Sequence, residues 1–79
     1  MKLNILSSDK TIYSGETDKV TVPGELGSFT ILKNHAPIIS SLTDGTIKYT
    51  TADGKEKELK IKLGFVEMSN NVVSICISE

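Results

Sequence analysis

Arginine and tryptophan are absent from these 79 residues, cysteine and histidine occur once each, and proline occurs twice. Lysine is therefore the only cationic type. Nine lysines against ten acids leave a formal net charge of -1, and without arginine the chain lacks the bidentate reader that phosphates and guanine edges favour. That combination argues against nucleic acid as a partner. A single cysteine, Cys76, excludes an intramolecular disulfide and any CxxC pair, and its place in the strand-like run VVSICIS points to a buried, inert thiol. One histidine, His35, stands without a nucleophile elbow, an HExxH or a spaced ligand set. Glycines occur singly, so no phosphate loop is present, and neither a cofactor nor a metal is expected. No apolar stretch approaches the roughly 20 residues of a membrane span, and MKLNILSSDK is too interrupted for a signal sequence.

What the chain does have is alternation. Leu3 and Ile5, Val20 and Val22, Ile47 and Tyr49, and Leu59, Ile61 and Leu63 each alternate with polar neighbours, the period of a half-buried strand. No segment holds helical spacing. Turn signals fall at Ser14-Gly15, Pro23-Gly24, Asp44-Gly45, Asp53-Gly54 and Asn70-Asn71, and short strands so punctuated imply a sandwich or barrel. The reading is one all-β domain over residues 1-79, a flattened β-sandwich or barrel of about ten short, mostly antiparallel strands. A domain this small buries only roughly 60% of its unfolded surface, which makes stabilisation by a partner a reasonable expectation.

Two strings carry chemistry of interest. Residues 16 to 20, ETDKV, resemble the stretch that presents the swinging-arm lysine of lipoyl carrier domains, which would make Lys19 an attachment site. Against this, Val20 and Val22 set Lys19 on the outer face of a strand, whereas a carrier lysine belongs at a hairpin tip near mid-domain. The second string, GELGSFTILKNHAP at residues 24 to 37, combines two turn glycines, a short apolar strand and a proline that holds Ala36 extended, and it reads as a presented contact surface.

With its flanks, that second string reads VPGELGSFTILKNHAPIISSLTDGTIKY and resembles the VPGxxGxFGxLPxHAPxxxxLxPGxIxx run of the ε subunit of F-type ATP synthases. LNILSSDKTIYSGETDKVTV is similar to the family's first strands, and GFVEMSNNVVSICIS to its closing hairpin. The resemblance implies a non-catalytic rotor subunit of the central stalk that packs on the γ subunit and the c-ring, so that proton-driven rotation is coupled to ATP synthesis. It places the c-ring contact at Glu25, Leu26, Gly27 and Ser28, with Asn34 and His35 near the same end, and the γ contact at Ser7, Ile39, Ser40 and Leu42. Ser28 stands where an acid is common in the family. Many members continue into a helical pair that in some binds ATP; the sequence stops at Glu79, so no C-terminal helical domain and no ATP binding are expected. Membrane association would be indirect, through the c-ring, at the cytoplasmic face of a bacterial inner membrane.

Overall fold

A computed structural model describes residues 1–78. Nine strands run in order: β1 (Lys2–Leu6), β2 (Thr11–Glu16), β3 (Lys19–Gly24), β4 (Gly27–Leu32), β5 (Ile38–Leu42), β6 (Gly45–Thr50), β7 (Glu56–Ile61), β8 (Leu63–Ser69) and β9 (Val72–Ser78). They form two layers. One reads β4-β3-β6-β7 and the other β5-β8-β9-β1-β2, and a bridge between Gly24 of β3 and Leu42 of β5 makes the whole a single curled sheet. All pairings are antiparallel except β1 with β9. The envelope is flattened, 26 × 24 × 19 Å. The all-β sandwich expected from alternation is the fold observed, with nine strands among the described residues rather than about ten.

The core lies between the layers and is rich in β-branched residues. Leu3, Ile5, Val66, Val73 and Ile75 on one layer meet Val20, Val22, Ile31 and Ile47 on the other, all with no exposed surface. Each such side chain contributes about 1.5–3 kcal/mol through removal from water. Tyr13 and Tyr49, with ring centroids 5.0 Å apart, close one side of the sandwich. Below them Thr17, the one buried polar residue among the described residues, donates its hydroxyl proton to the Lys19 carbonyl at 2.9 Å and accepts from the Thr50 hydroxyl at 2.9 Å.

Turn chemistry explains most connections. Asn70 and Asn71 both take left-handed φ, 52° and 63°, as a two-residue hairpin between β8 and β9 requires. The Asn71 carboxamide then accepts from the backbone N–H of Asn34 at 2.9 Å, and its carbonyl accepts from Lys2 N–H at 3.1 Å, tying three segments together. Replacing Asn71 by glycine keeps the backbone free to turn but removes the clip, for an expected cost of about 1 kcal/mol. Asn71→Ala should cost roughly 1–2 kcal/mol more, because a Cβ-bearing residue without the amide resists left-handed φ. Urea titrations of the two variants check the order.

At the β6–β7 connection the Thr51 hydroxyl donates to the Asp53 carboxylate, and Gly54 adopts φ 86°. That hydrogen bond, ahead of the backbone donors and Lys57, holds Asp53 below its ordinary carboxylate value. A carboxyl depressed in the folded state adds stability above its unfolded pKa of about 3.9 and loses it as pH falls through the folded value. The stability gap between the native chain and Asp53→Asn should therefore be present at neutral pH and shrink steadily below about pH 4, readable by thermal melts at stepped pH.

Two expected features are placed differently. Ser14-Gly15 is not a turn but the interior of β2, and the chain reverses instead at residues 7–10, where Ser7 N–H donates to the Lys10 carbonyl at 2.9 Å. Leu63 does not continue the inward series of Leu59 and Ile61. The chain changes layers at Lys62, β8 starts in a new phase, and Leu63 points outward.

Candidate functional site

Strand register sorts the expected contact residues by end and by face. The turn Glu25-Leu26 joins β3 to β4 and is closed by Gly24 opposite Gly27, with Gly27 at φ 127°. Its tip is Leu26, a leucine fully exposed to solvent and flanked by exposed Glu25, Gly27 and Ser28. From here β4 runs away for five residue steps to Leu32, about 17 Å at strand rise. Asn34 and His35 lie beyond that far end. There Asn34, at φ 65°, and the bond from His35 N–H to the Leu32 carbonyl (3.1 Å) close a turn clipped to Asn71. The expectation that Asn34 and His35 share an end with Glu25–Ser28 is corrected: a strand separates them.

The other four residues divide by side-chain alternation. In β5, Ile38, Ser40 and Leu42 turn inward while Ile39 and Ser41 turn outward. Leu42 is 3% exposed and belongs to the core, so it offers no side chain to a partner, a second correction. Ser40 shares the inward phase and donates to the Ser41 carbonyl at 3.1 Å. Ile39, in contrast, is 77% exposed. Ser7 follows β1 at the end of the sandwich that carries Leu42, and its hydroxyl donates within its own turn, to Asp9 Oδ1 at 3.1 Å and the Lys10 carbonyl at 3.3 Å.

Around Ile39 the outer face of the five-stranded layer carries an apolar row that alternation alone does not reveal. Across the ladder, Leu6 opposes Cys76, Cys76 opposes Phe65, and Phe65 opposes Ser41. Ile39 is the diagonal neighbour of Phe65, at roughly 7–8 Å, and Leu63 lies two residues along β8 from it. Phe65 is 50% and Leu63 60% exposed, and Cys76 is half-buried in this row rather than sequestered in the core. A contiguous apolar face on a chain this small, rimmed by Glu67, Ser74 and Asn4, is the signature of an interaction site. Among the described residues no set of three or more metal-ligating side chains converges.

Comparison with known proteins fits this architecture. A model of the ATP synthase Delta/Epsilon chain β-sandwich domain matches residues 1–79. The chain belongs to that family. The ATP synthase epsilon chain of Leptospira interrogans (serovar copenhageni) is 40% identical over 75 residues, 95% of this chain and 58% of the relative. That of Chlorobium limicola is 39% identical over 70 residues, 89% of this chain and 80% of the relative. The chain thus spans little more than half the length of the Leptospira epsilon chain. Among solved structures, a chain of Euglena gracilis mitochondrial ATP synthase (OSCP/F1/c-ring, rotational state 1) superposes with a TM-score of 0.89 at 23% identity, covering 98% of this chain and 49% of that one. A chain of the Tetrahymena thermophila mitochondrial ATP synthase central stalk/c-ring gives 0.81 at 14%, covering 99% and 63%. Both share the fold.

Membership of the Delta/Epsilon family also disposes of Lys19 as a carrier lysine. Lys19 opens β3 opposite Leu32 of β4, outward from Val20 and Val22, and no hairpin tip surrounds it. The residues that sequence reasoning missed in this family member are Leu6, Leu63, Phe65 and Cys76. A signal did exist for one of them: in GFVEMS, Phe65 shares strand parity with Glu67, so an inward phase for Phe65 would have buried a carboxylate.

Proposed function

We propose that this chain is the β-sandwich domain of a rotor subunit of an F-type ATP synthase. It packs on γ through the outer face of the β5-β8-β9-β1-β2 layer and meets the c-ring through the Glu25–Ser28 turn. The observation that carries the reading is the apolar row Ile39, Phe65, Cys76 and Leu6 on the outer face of an epsilon-family sandwich. The domain makes and breaks no bond; it transmits torque, so proton-driven rotation of ring, γ and this subunit is coupled to ATP synthesis elsewhere in the complex.

At the ring end the contact is small. Leu26 supplies an apolar tip, Glu25 its one charge, and Ser28 contributes a hydroxyl where the resemblance leads one to expect an acid. Docking to the ring should therefore depend little on salt, and γ should supply most of the affinity. Asn34, His35 and Leu42 are left out of both contacts. Membrane association is indirect, through the ring, at the cytoplasmic face of a bacterial inner membrane. No helix among the described residues is long and apolar enough to cross a membrane.

The test is capture of the cognate γ subunit by the purified chain, followed by the same capture with detergent-solubilised c-ring. Binding of γ with a measurable Kd supports the assignment; a folded chain that ignores γ refutes it.

A further inference from the structure

Beyond its side chains, β5 presents a row of backbone groups for which the fold supplies no partner. Next to the Gly24–Leu42 bridge, Glu25 N–H donates to the Ser41 carbonyl at 3.3 Å and Thr43 N–H to the Pro23 carbonyl at 2.9 Å. Odd-numbered residues of β5 therefore direct their N–H and C=O groups toward β3, and even-numbered ones toward β8, because successive residues of an extended strand alternate. But β3 turns away after Gly24, and its only bridge to β5 is at Leu42. The N–H and C=O of Ile39 and the N–H of Ser41 are left facing open space, with no backbone partner among the described residues.

Two depressions border Ile39. A groove of about 560 Å³ runs between it and the β3–β4 turn, lined by Gly24, Leu26, Phe29 and Ser40 among others. A second of about 460 Å³ is lined by Pro37, Ile38, Glu67 and Met68. The β7 edge differs. There the run EKELKI carries charge at four of its six positions, the usual guard against edge pairing, while β5 has no lysine, proline or bulge between Ile38 and Leu42.

We infer that the Ile39–Ser41 edge of β5 is a strand-addition site, where an extended segment of the γ partner completes the ladder with Ile39 and Ser41 and seats side chains in the groove beside the β3–β4 turn. Such recognition takes affinity from main-chain hydrogen bonds and specificity from flanking pockets. Ile39 belongs to both this edge and the apolar outer face, so one partner would run continuously over the corner. This rests on the proposed γ docking and adds to it a backbone component that face packing alone lacks.

Amide exchange followed by NMR on the chain with and without its cognate γ subunit tests this. The Ile39 and Ser41 amides should exchange quickly in the free chain and slow by ~100-fold or more in the complex. Ile39→Pro removes the edge N–H without touching the β5–β8 ladder, since that group points away from β8, and should weaken γ binding at least ~10-fold, whereas Ile39→Val should bind like the native chain. If γ binds while both amides exchange as in the free chain, or if Ile39→Pro binds undiminished, the edge is not used and face packing alone stands. If γ does not bind at all, both readings fall. Should Ile39→Pro not fold, the exchange measurement on the native chain decides.

Discussion

A chain carrying Ile39→Asp together with Phe65→Asp is expected to lose γ capture while unfolding as cooperatively as the native domain. Both side chains already meet water, at 77% and 50% exposure, so aspartate at either position leaves the interior of the free domain intact. On docking, each carboxylate would have to enter an apolar contact without a partner. An uncompensated buried charge costs several kcal/mol, and two adjacent ones should lower affinity by at least about 3 kcal/mol, roughly a hundredfold in Kd. Isothermal calorimetry with γ reads the loss directly. The pairing matters: Ile39 with Leu42 would be a poor choice, because Leu42→Asp puts a charge into the core and destroys the fold before binding can be asked about. Undiminished affinity in the Ile39/Phe65 variant would move the docking face elsewhere.

The second large effect concerns one atom's worth of space. A Cβ on Gly64 would lie 2.4 Å from the Cys76 carbonyl oxygen and 3.2 Å from the Ile77 Cα, both backbone atoms of the neighbouring strand. Backbone cannot rotate out of the way. Gly64→Ala must therefore part β8 from β9 in the middle of the five-stranded layer, for an expected loss of about 3 kcal/mol or more. Gly54 is the internal comparison: a Cβ there meets nothing within 4 Å, and only its φ of 86° opposes substitution. Gly54→Ala should cost only about 1 kcal/mol. Chemical denaturation of the two variants, one crowded and the other strained, separates close approach from conformational preference. Equal losses would mean that the β8–β9 spacing relaxes readily.

Much of the fold was legible because local chemistry and burial agree. Asn-Asn between two alternating runs could hardly be other than a tight hairpin, and Val20 and Val22 point inward as their alternation requires. Legibility failed where the chain changes layers. ELKIKLGF reads as one unbroken alternation, but the period persists through Lys62 while the face it serves does not, so Leu63 lands outside. In IISSL both phases are chemically plausible, since each places one isoleucine inward; only pairing with β8 fixes Ile38 and Leu42 inside and Ile39 outside. The proposed docking face was harder still. Its row is assembled from β1, β5, β8 and β9, and Leu6 and Phe65 become neighbours only through Cys76 between them. No linear pattern announces a patch made from residues 6, 65 and 76. The grouping proposed for the ring contact failed for a simpler reason, since GELGSFTILKNHAP contains a whole strand and its two ends cannot be one place.

The parallel pairing of β1 with β9 sets the order in which this molecule can come into being. Lys2 must find Val72, and the first and last strands lie side by side in the five-stranded layer. The β9 strand is inserted between β1 and β8, not added at a margin. During synthesis the first hairpin and the β8 region therefore have no shared ladder until the final strand is available, and the hydrophobic sides of both stay wet. Closing so long a loop places the domain among chains dominated by non-local contacts, which fold in milliseconds to seconds rather than microseconds. A nascent copy stalled before β9 has no complete sandwich to offer a partner, so commitment to assembly comes only after the last strand has entered the sheet.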